Sequence, residues 1–279
     1  MPVRRLVVPL VALLIAGCGG TEAPPSVAVG AGPDAESELL AQLYAAALRY
    51  YGSAAHVERG DDPVADLDTA DVQVAPGFTG RLLVRFDPGA VALGDEQVYR
   101  SMISSLPEGV AAGDYAMSAT DEPAPAVAES TATAWGGRDT SALVKHCAGR
   151  RVGVVKGAKT PAAVGNCTLP RPREYPDAAT LFAGLRSGQV DVAWTSTAAP
   201  DVPDGVVVLA DRTSLIRAEN VVPLYRRNEL TERQVLALNA IAGELDTGSL
   251  ADMRKKVEGG ADSGAVAAEW LDNHPLGRS

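Results

Sequence analysis

Short apolar runs alternate with segments of helical periodicity along this chain. That alternation restricts it to an α/β fold with mainly parallel strand pairing. The first pair sets the pattern. Ser26-Val-Ala-Val-Gly30 reads as a strand, stopped by Gly30-Ala-Gly32-Pro33. Asp34 stands where a helix cap belongs. Leu39, Leu40, Leu43, Tyr44, Ala47, Leu48 and Tyr51 then recur at helical spacing until Gly52 ends the run. Glu36 and Glu38 fall in the first turn, where the helix dipole favours negative charge.

The same reading continues downstream. Residues 57–72 are acidic and irregular, a short strand follows near Val72–Ala75, and Pro76-Gly-Phe-Thr-Gly80 reads as a turn before a strand from Leu82 to Phe86. Asp95–Ser105 patterns as a helix, Tyr115–Ser118 as a strand, and 121–133 as a loop or hinge-adjacent strand of low complexity. A helix starts at Thr140, Arg151–Val155 is a strand of the fully buried type, and Asp177 caps a helix that Gly188 ends. Strands are expected at Val190–Trp194, Val206–Ala210 and Asn220–Tyr225, the last an edge strand because Pro223 has no N–H to donate. Thr231-Glu-Arg-Gln234 is a capping box, and two more helices fill the tail near 249–257 and 262–273.

The N-terminus fixes the compartment. Arg4 and Arg5 precede an apolar run from Leu6 to Gly17, a secretory signal too short for a bilayer span, which needs roughly 20 residues. Ile15-Ala16-Gly17-Cys18 matches a bacterial lipobox, so cleavage is expected before Cys18, whose thiol carries the lipid. Residues 1–17 are then the signal peptide, and 18–25 a flexible tether rich in Gly and Pro. An extracytoplasmic, lipid-anchored chain follows. The net charge of −10 becomes about −12 once Arg4 and Arg5 are removed, and no basic run exceeds the three residues Arg254-Lys255-Lys256. Nucleic acid is excluded as a partner, because phosphate contacts need clustered Lys and Arg.

With Cys18 assigned to lipid, Cys147 and Cys167 remain, and in an oxidising compartment they most simply pair. A metal site using the adjacent His146 is the competing reading, although none of the three histidines has ligand spacing to another. Catalytic motifs are missing: there is no G-x-S-x-G elbow and no H-E-x-x-H. Gly153-Val-Val-Lys-Gly157-Ala-Lys159-Thr160 fails as a phosphate loop on spacing and reads as a glycine-rich turn. No enzyme activity, metal or cofactor is expected.

Several stretches taken in order resemble the substrate-binding lipoproteins of importers, driven by ATP-binding cassettes, for glycine betaine, choline and related quaternary amines. They are the VAVG strand with its ESELLAQLYAAALRYYG helix, Pro76-Gly-Phe-Thr-Gly80, Leu185-Arg-Ser-Gly-Gln-Val-Asp-Val-Ala193 with Trp194-Thr-Ser-Thr197, and the tail from NVVPLY to AAEWL. The likeness runs from about residue 26 to 272. It implies a type II periplasmic-binding-protein clamshell, with 26–118 plus 206–279 in one lobe and 119–205 in the other. It also implies a monomer that captures a small solute between its lobes and hands it to permease subunits.

Where such proteins box a quaternary ammonium with aromatic rings, this chain is depleted. Phe78 stands at the loop tyrosine, Asp121-Glu-Pro-Ala-Pro-Ala-Val lacks a tyrosine, and Thr213–Glu219 carries no ring. The ligand-binding residues implied are Phe78, Thr79, Asp121, Trp135, Trp194, Thr195 and Ser196, with Tyr115 as a further ring. Asp121 either holds a cation or pairs with an arginine of the facing lobe. Trp270 reads as core. Two alternatives stay open: an unrelated small polar solute, or a surface lipoprotein that keeps the fold as an interaction or regulatory module.

Overall fold

The computed structural model describes residues 25–277. The signal segment, Cys18 and the tether up to residue 24 lie outside the described residues. The first half comprises β1 (Val27–Ala31), α1 (Ala35–Tyr50), β2 (Ala55–Arg59), α2 (Pro63–Thr69), β3 (Val74–Phe78), α3 (Thr79–Phe86), α4 (Asp95–Ser104) and β4 (Val110–Ala112). Next come β5 (Pro123–Ala128), α5 (Glu129–Trp135), α6 (Thr140–Lys145), β6 (Val152–Val155) and the short pair β7 (Ala163–Val164) and β8 (Cys167–Thr168). The middle ends with β9 (Arg173–Tyr175), α7 (Ala178–Arg186), β10 (Val192–Ser196) and β11 (Val206–Val208). β12 (Val221–Arg226), α8 (Glu232–Glu244), α9 (Thr247–Glu258) and α10 (Ser263–Asn273) complete the chain.

Two five-stranded sheets divide these strands. One runs β2-β1-β3-β12-β4, the other β11-β5-β10-β6-β9. Pairing is parallel through β2-β1-β3 and β10-β6-β9, while β12 and β5 join antiparallel. This is the mixed α/β fold with parallel sheet cores that the alternating pattern predicts. α1 carries the first sheet's core: Leu39, Leu40, Leu43, Tyr44 and Leu48 are buried against α8, α9 and α10. Asp34 caps it, its Oδ1 accepting from the Ser37 N–H at 2.9 Å. Trp270 belongs to the same cluster, as core. In the second sheet, Val127, Val152, Val192 and Trp194 pack on one face, and Phe182, Leu181 and Ala193 on the other.

Five expectations change. Pro76–Gly80 is not a turn: Pro76, Gly77 and Phe78 end β3, and Thr79 and Gly80 open α3. Residues 57–72 hold β2 and α2, the latter started by Asp62 accepting from the Ala65 N–H with Pro63 at the first helical position. Leu82–Phe86 is not a strand but the body of α3, and a five-residue apolar run cannot separate the two periods. The strand placed at 115–118 is instead β4, at 110–112. β12 is not an edge strand, since it lies between β3 and β4. Pro223 sits opposite Pro76, and its carbonyl accepts from the Gly113 N–H at 2.9 Å, just past the end of β4. Its nitrogen faces that same side, so no bond to β3 is lost.

Cys147 and Cys167 form a disulfide with Cα atoms 5.6 Å apart, which removes the metal reading. The chain crosses between the sheets at 113–122 and again at 209–220. The crossings run side by side: Thr120 bridges Asn220, and the Asp121 N–H donates to Glu219 O at 2.9 Å. Thr197 ties the crossing to β10, its hydroxyl 2.9 Å from that of Thr120 and accepting from the Glu122 N–H at 3.1 Å.

Candidate functional site

A cavity of about 770 Å³ opens where the two sheets face each other. From the first sheet's side it is lined by Gly80 and Arg81 at the start of α3, Glu219 just before β12, and Arg254 and Glu258 on α9. From the second side come Asp121 just ahead of β5 and Pro123 at its start, Lys159 after β6, Phe182 on α7, and Trp194, Thr195 and Ser196 at the C-terminal end of β10. Strand ends of this kind are where open α/β sheets take ligands.

Charge, not aromatic surface, dominates the wall. Asp121 is 4% exposed and both its oxygens are engaged: Oδ2 by Arg81 Nη2 at 2.7 Å, Oδ1 by Arg254 Nη1 at 2.8 Å. The same two arginines also meet Glu36 in the first turn of α1, at 2.9 and 3.1 Å. Glu219 accepts from the Arg81 backbone N–H at 2.8 Å. Burial pushes the Asp121 carboxyl up, but the Arg254 and Arg81 guanidiniums outweigh it and hold the group below the usual range. Glu36 moves the other way, up to about 7, through burial and then the negative charge of Asp121. Burial likewise lifts Glu219 to about 7 against Arg81, and Glu122 to about 7 with the charge of Asp211 adding. Of these three raised carboxyls only Glu219 lines the cavity; Glu36 touches the two arginines of its wall, and Glu122 follows Asp121 in the chain.

The sequence-derived residues divide into two groups. Asp121, Trp194, Thr195 and Ser196 line the cavity together. Phe78, Thr79 and Trp135 do not. Phe78 is buried, and the Arg81 guanidinium covers its ring at 4.1 Å from the centroid. Thr79 is fully buried, accepting from the Asn220 N–H at 3.1 Å. Trp135 stacks on His146 with ring centroids 5.2 Å apart, and Tyr115 packs against Tyr99 at 4.5 Å. Trp194 reaches the wall, but its ring is 2% exposed and packs with the second sheet's core. Asp121 pairs with arginines, one of the two roles foreseen for it. Arg81, Arg254, Glu36 and Glu219 are members the sequence reading passed over. Arg81 directly follows the Pro76–Gly80 motif, and that adjacency was the available signal.

No curated protein sequence is similar enough to count as a match. Solved structures are similar in fold. One described as a glycine betaine/carnitine/choline ABC transporter superposes with TM-score 0.72 at 16% identity, covering 89% of this chain and 98% of that one. Apo YehZ from Escherichia coli gives 0.69 at 18% identity, with 89% and 98% covered. An ABC-transporter choline-binding protein in complex with choline gives 0.55 at 14% identity, over 89% of this chain and 88% of the other. Residues 25–273 match the family described as the substrate binding domain of ABC-type glycine betaine transport systems, and on that match the chain belongs to this family of solute-binding transport proteins.

Proposed function

We propose that the chain captures a small zwitterionic or quaternary-amine solute in the cavity and delivers it to the permease subunits of an importer. The observation that carries this reading is a cavity of about 770 Å³ whose wall presents both signs of charge. The lobes are 26–118 with 209–279, and 119–208, because β11 pairs with β5 in the second sheet and so moves the expected boundary at 205 past residue 208; the paired crossings at Thr120 and Asn220 join them. Asp121, Glu219 and Glu258 face the cationic pole of the solute; Arg81, Arg254 and Lys159 face an anionic pole. Thr195 and Ser196 supply neutral polar contacts at the end of β10. Phe78 and Thr79 support the site from beneath, by fixing Arg81 and the backbone at Asn220, next to Glu219. Trp135 lies outside it. The protein acts as a monomer without catalysing a reaction, tethered by a lipid on Cys18.

Isothermal titration against glycine betaine, choline, carnitine, proline betaine and ectoine tests the reading. Micromolar binding to at least one is expected, weakened at least tenfold by Asp121→Asn, a loss of about 1.4 kcal/mol. Silence across these and a broad panel of small polar metabolites would falsify it.

A further inference from the structure

Positive charge is segregated in this acidic chain. Residues 138–173 hold eight basic side chains and one acidic one, Asp139, a net charge of +7 inside a chain of −10, which leaves −17 for the remainder. Two of the eight are neutralised locally, Arg138 by Glu129 and Arg151 by Asp191. The other six, Lys145, Arg150, Lys156, Lys159, Arg171 and Arg173, have no acidic partner among the described residues. Folding concentrates four of the arginines. Arg150, Arg151, Arg171 and Arg173 line a groove of about 760 Å³ beside Cys147, at the β9 edge of the second sheet. Two of them have their planes set by rings: Arg150 over Trp135 at 5.6 Å and Arg173 over Tyr175 at 5.2 Å from the centroids. No carboxylate shares the lining, and guanidinium forks match the oxygens of a phosphate pairwise.

We propose that this arginine groove rests on the anionic phospholipid headgroups of the membrane that holds the chain, and so fixes the body's orientation over the bilayer. The proposal builds on lipidation at Cys18. A tether of residues 18–25 reaches at most about 25–30 Å when extended, so the body never leaves the neighbourhood of the headgroups. Once Arg4 and Arg5 are removed, the body carries about −19 outside the basic segment, so an anionic surface repels the rest of it and the contact orients as well as adheres.

The test uses the chain purified from its host's membranes and reconstituted on phosphatidylcholine vesicles with or without phosphatidylglycerol. Backbone hydrogen exchange over 145–173 should slow about fivefold on the anionic vesicles only, the factor corresponding to one basic residue at an anionic surface. High salt should erase the effect, as should Arg171→Glu with Arg173→Glu. An unchanged circular dichroism spectrum and thermal melt confirm that this variant is folded. Equal exchange on both vesicle types, or protection retained by the variant, overturns the proposal. So does equal protection by soluble glycerol phosphate, which would make the groove a free-anion site. Intact mass reports the lipid independently, so a missing anchor and a missing headgroup contact are read apart.

Discussion

Asp121 takes one arginine on each carboxylate oxygen, and both arginines lean on Glu36. Charges buried this way hold each other in place, and removing one strands the rest in a medium that cannot solvate them. The three glutamates lifted to about 7, Glu36, Glu122 and Glu219, give the site a pH dependence whose sign can be worked out. A carboxyl whose pKa is raised on folding contributes stability that is fully present below its ordinary 4.5 and is lost as pH rises through 7. Thermal melts should therefore show falling stability between pH 5 and 8, roughly in the window these groups span. A solute cation favours the ionised forms, so its affinity should move the opposite way, tightening over the same range with proton release. Titration in two buffers of different ionisation heat reads that release directly; binding without any proton release rules out Glu219, the one of the three on the cavity wall, as a solute partner. Asp121 was legible because it opens a segment the family resemblance marks. Arg81 and Arg254 were not, since a helical arginine looks like a solvated one until its partner is known, and Arg254's lies 133 residues away.

Among the elements, those with both a cap and a period were readable from sequence. α1 with Asp34, α7 with Asp177 and α8 with its Thr231–Gln234 capping box fall where the pattern places them. α2 escaped because its acidic residues suggested a solvated loop, although Asp62-Pro63 is a helix start by the same rule that found α1. α3 escaped because Leu82, Leu83 and Phe86 satisfy a strand as well as one helical turn. Pro223 misled because the rule against proline in a central strand ignores which neighbour the missing N–H would face. The Cys147–Cys167 link closes a loop with a sequence separation of 20 and ties the end of α6 to the β7–β8 pair. Replacing both cysteines by serine should lower unfolding free energy by about 3 kcal/mol, measured by urea denaturation. A change below about 0.5 kcal/mol would mean that the native packing of β8 already supplies the constraint.

For the molecule as a whole, two sheets are joined at one seam by adjacent crossings. Thr120, Thr197 and Asn220 sit at that seam, outside both sheets' cores. Small-angle scattering should show the radius of gyration falling when saturating solute is added, because a ligand touching both walls favours the closed arrangement. An unchanged radius with tight binding would place the closed form already in the free protein.

The position of β12 also dictates an order of events. β3 and β4 are not neighbours in the finished sheet; the strand that joins them is β12, more than a hundred residues downstream of β4. Every strand of the second sheet lies between 123 and 208, so that sheet has all its parts once residue 208 is available. Synthesis from the N-terminus therefore delivers the first half unfinished while the middle half is already complete. The half that begins the sequence is the last to close, and the solute cavity, which needs Glu219 and Arg254, comes into being only at that final step.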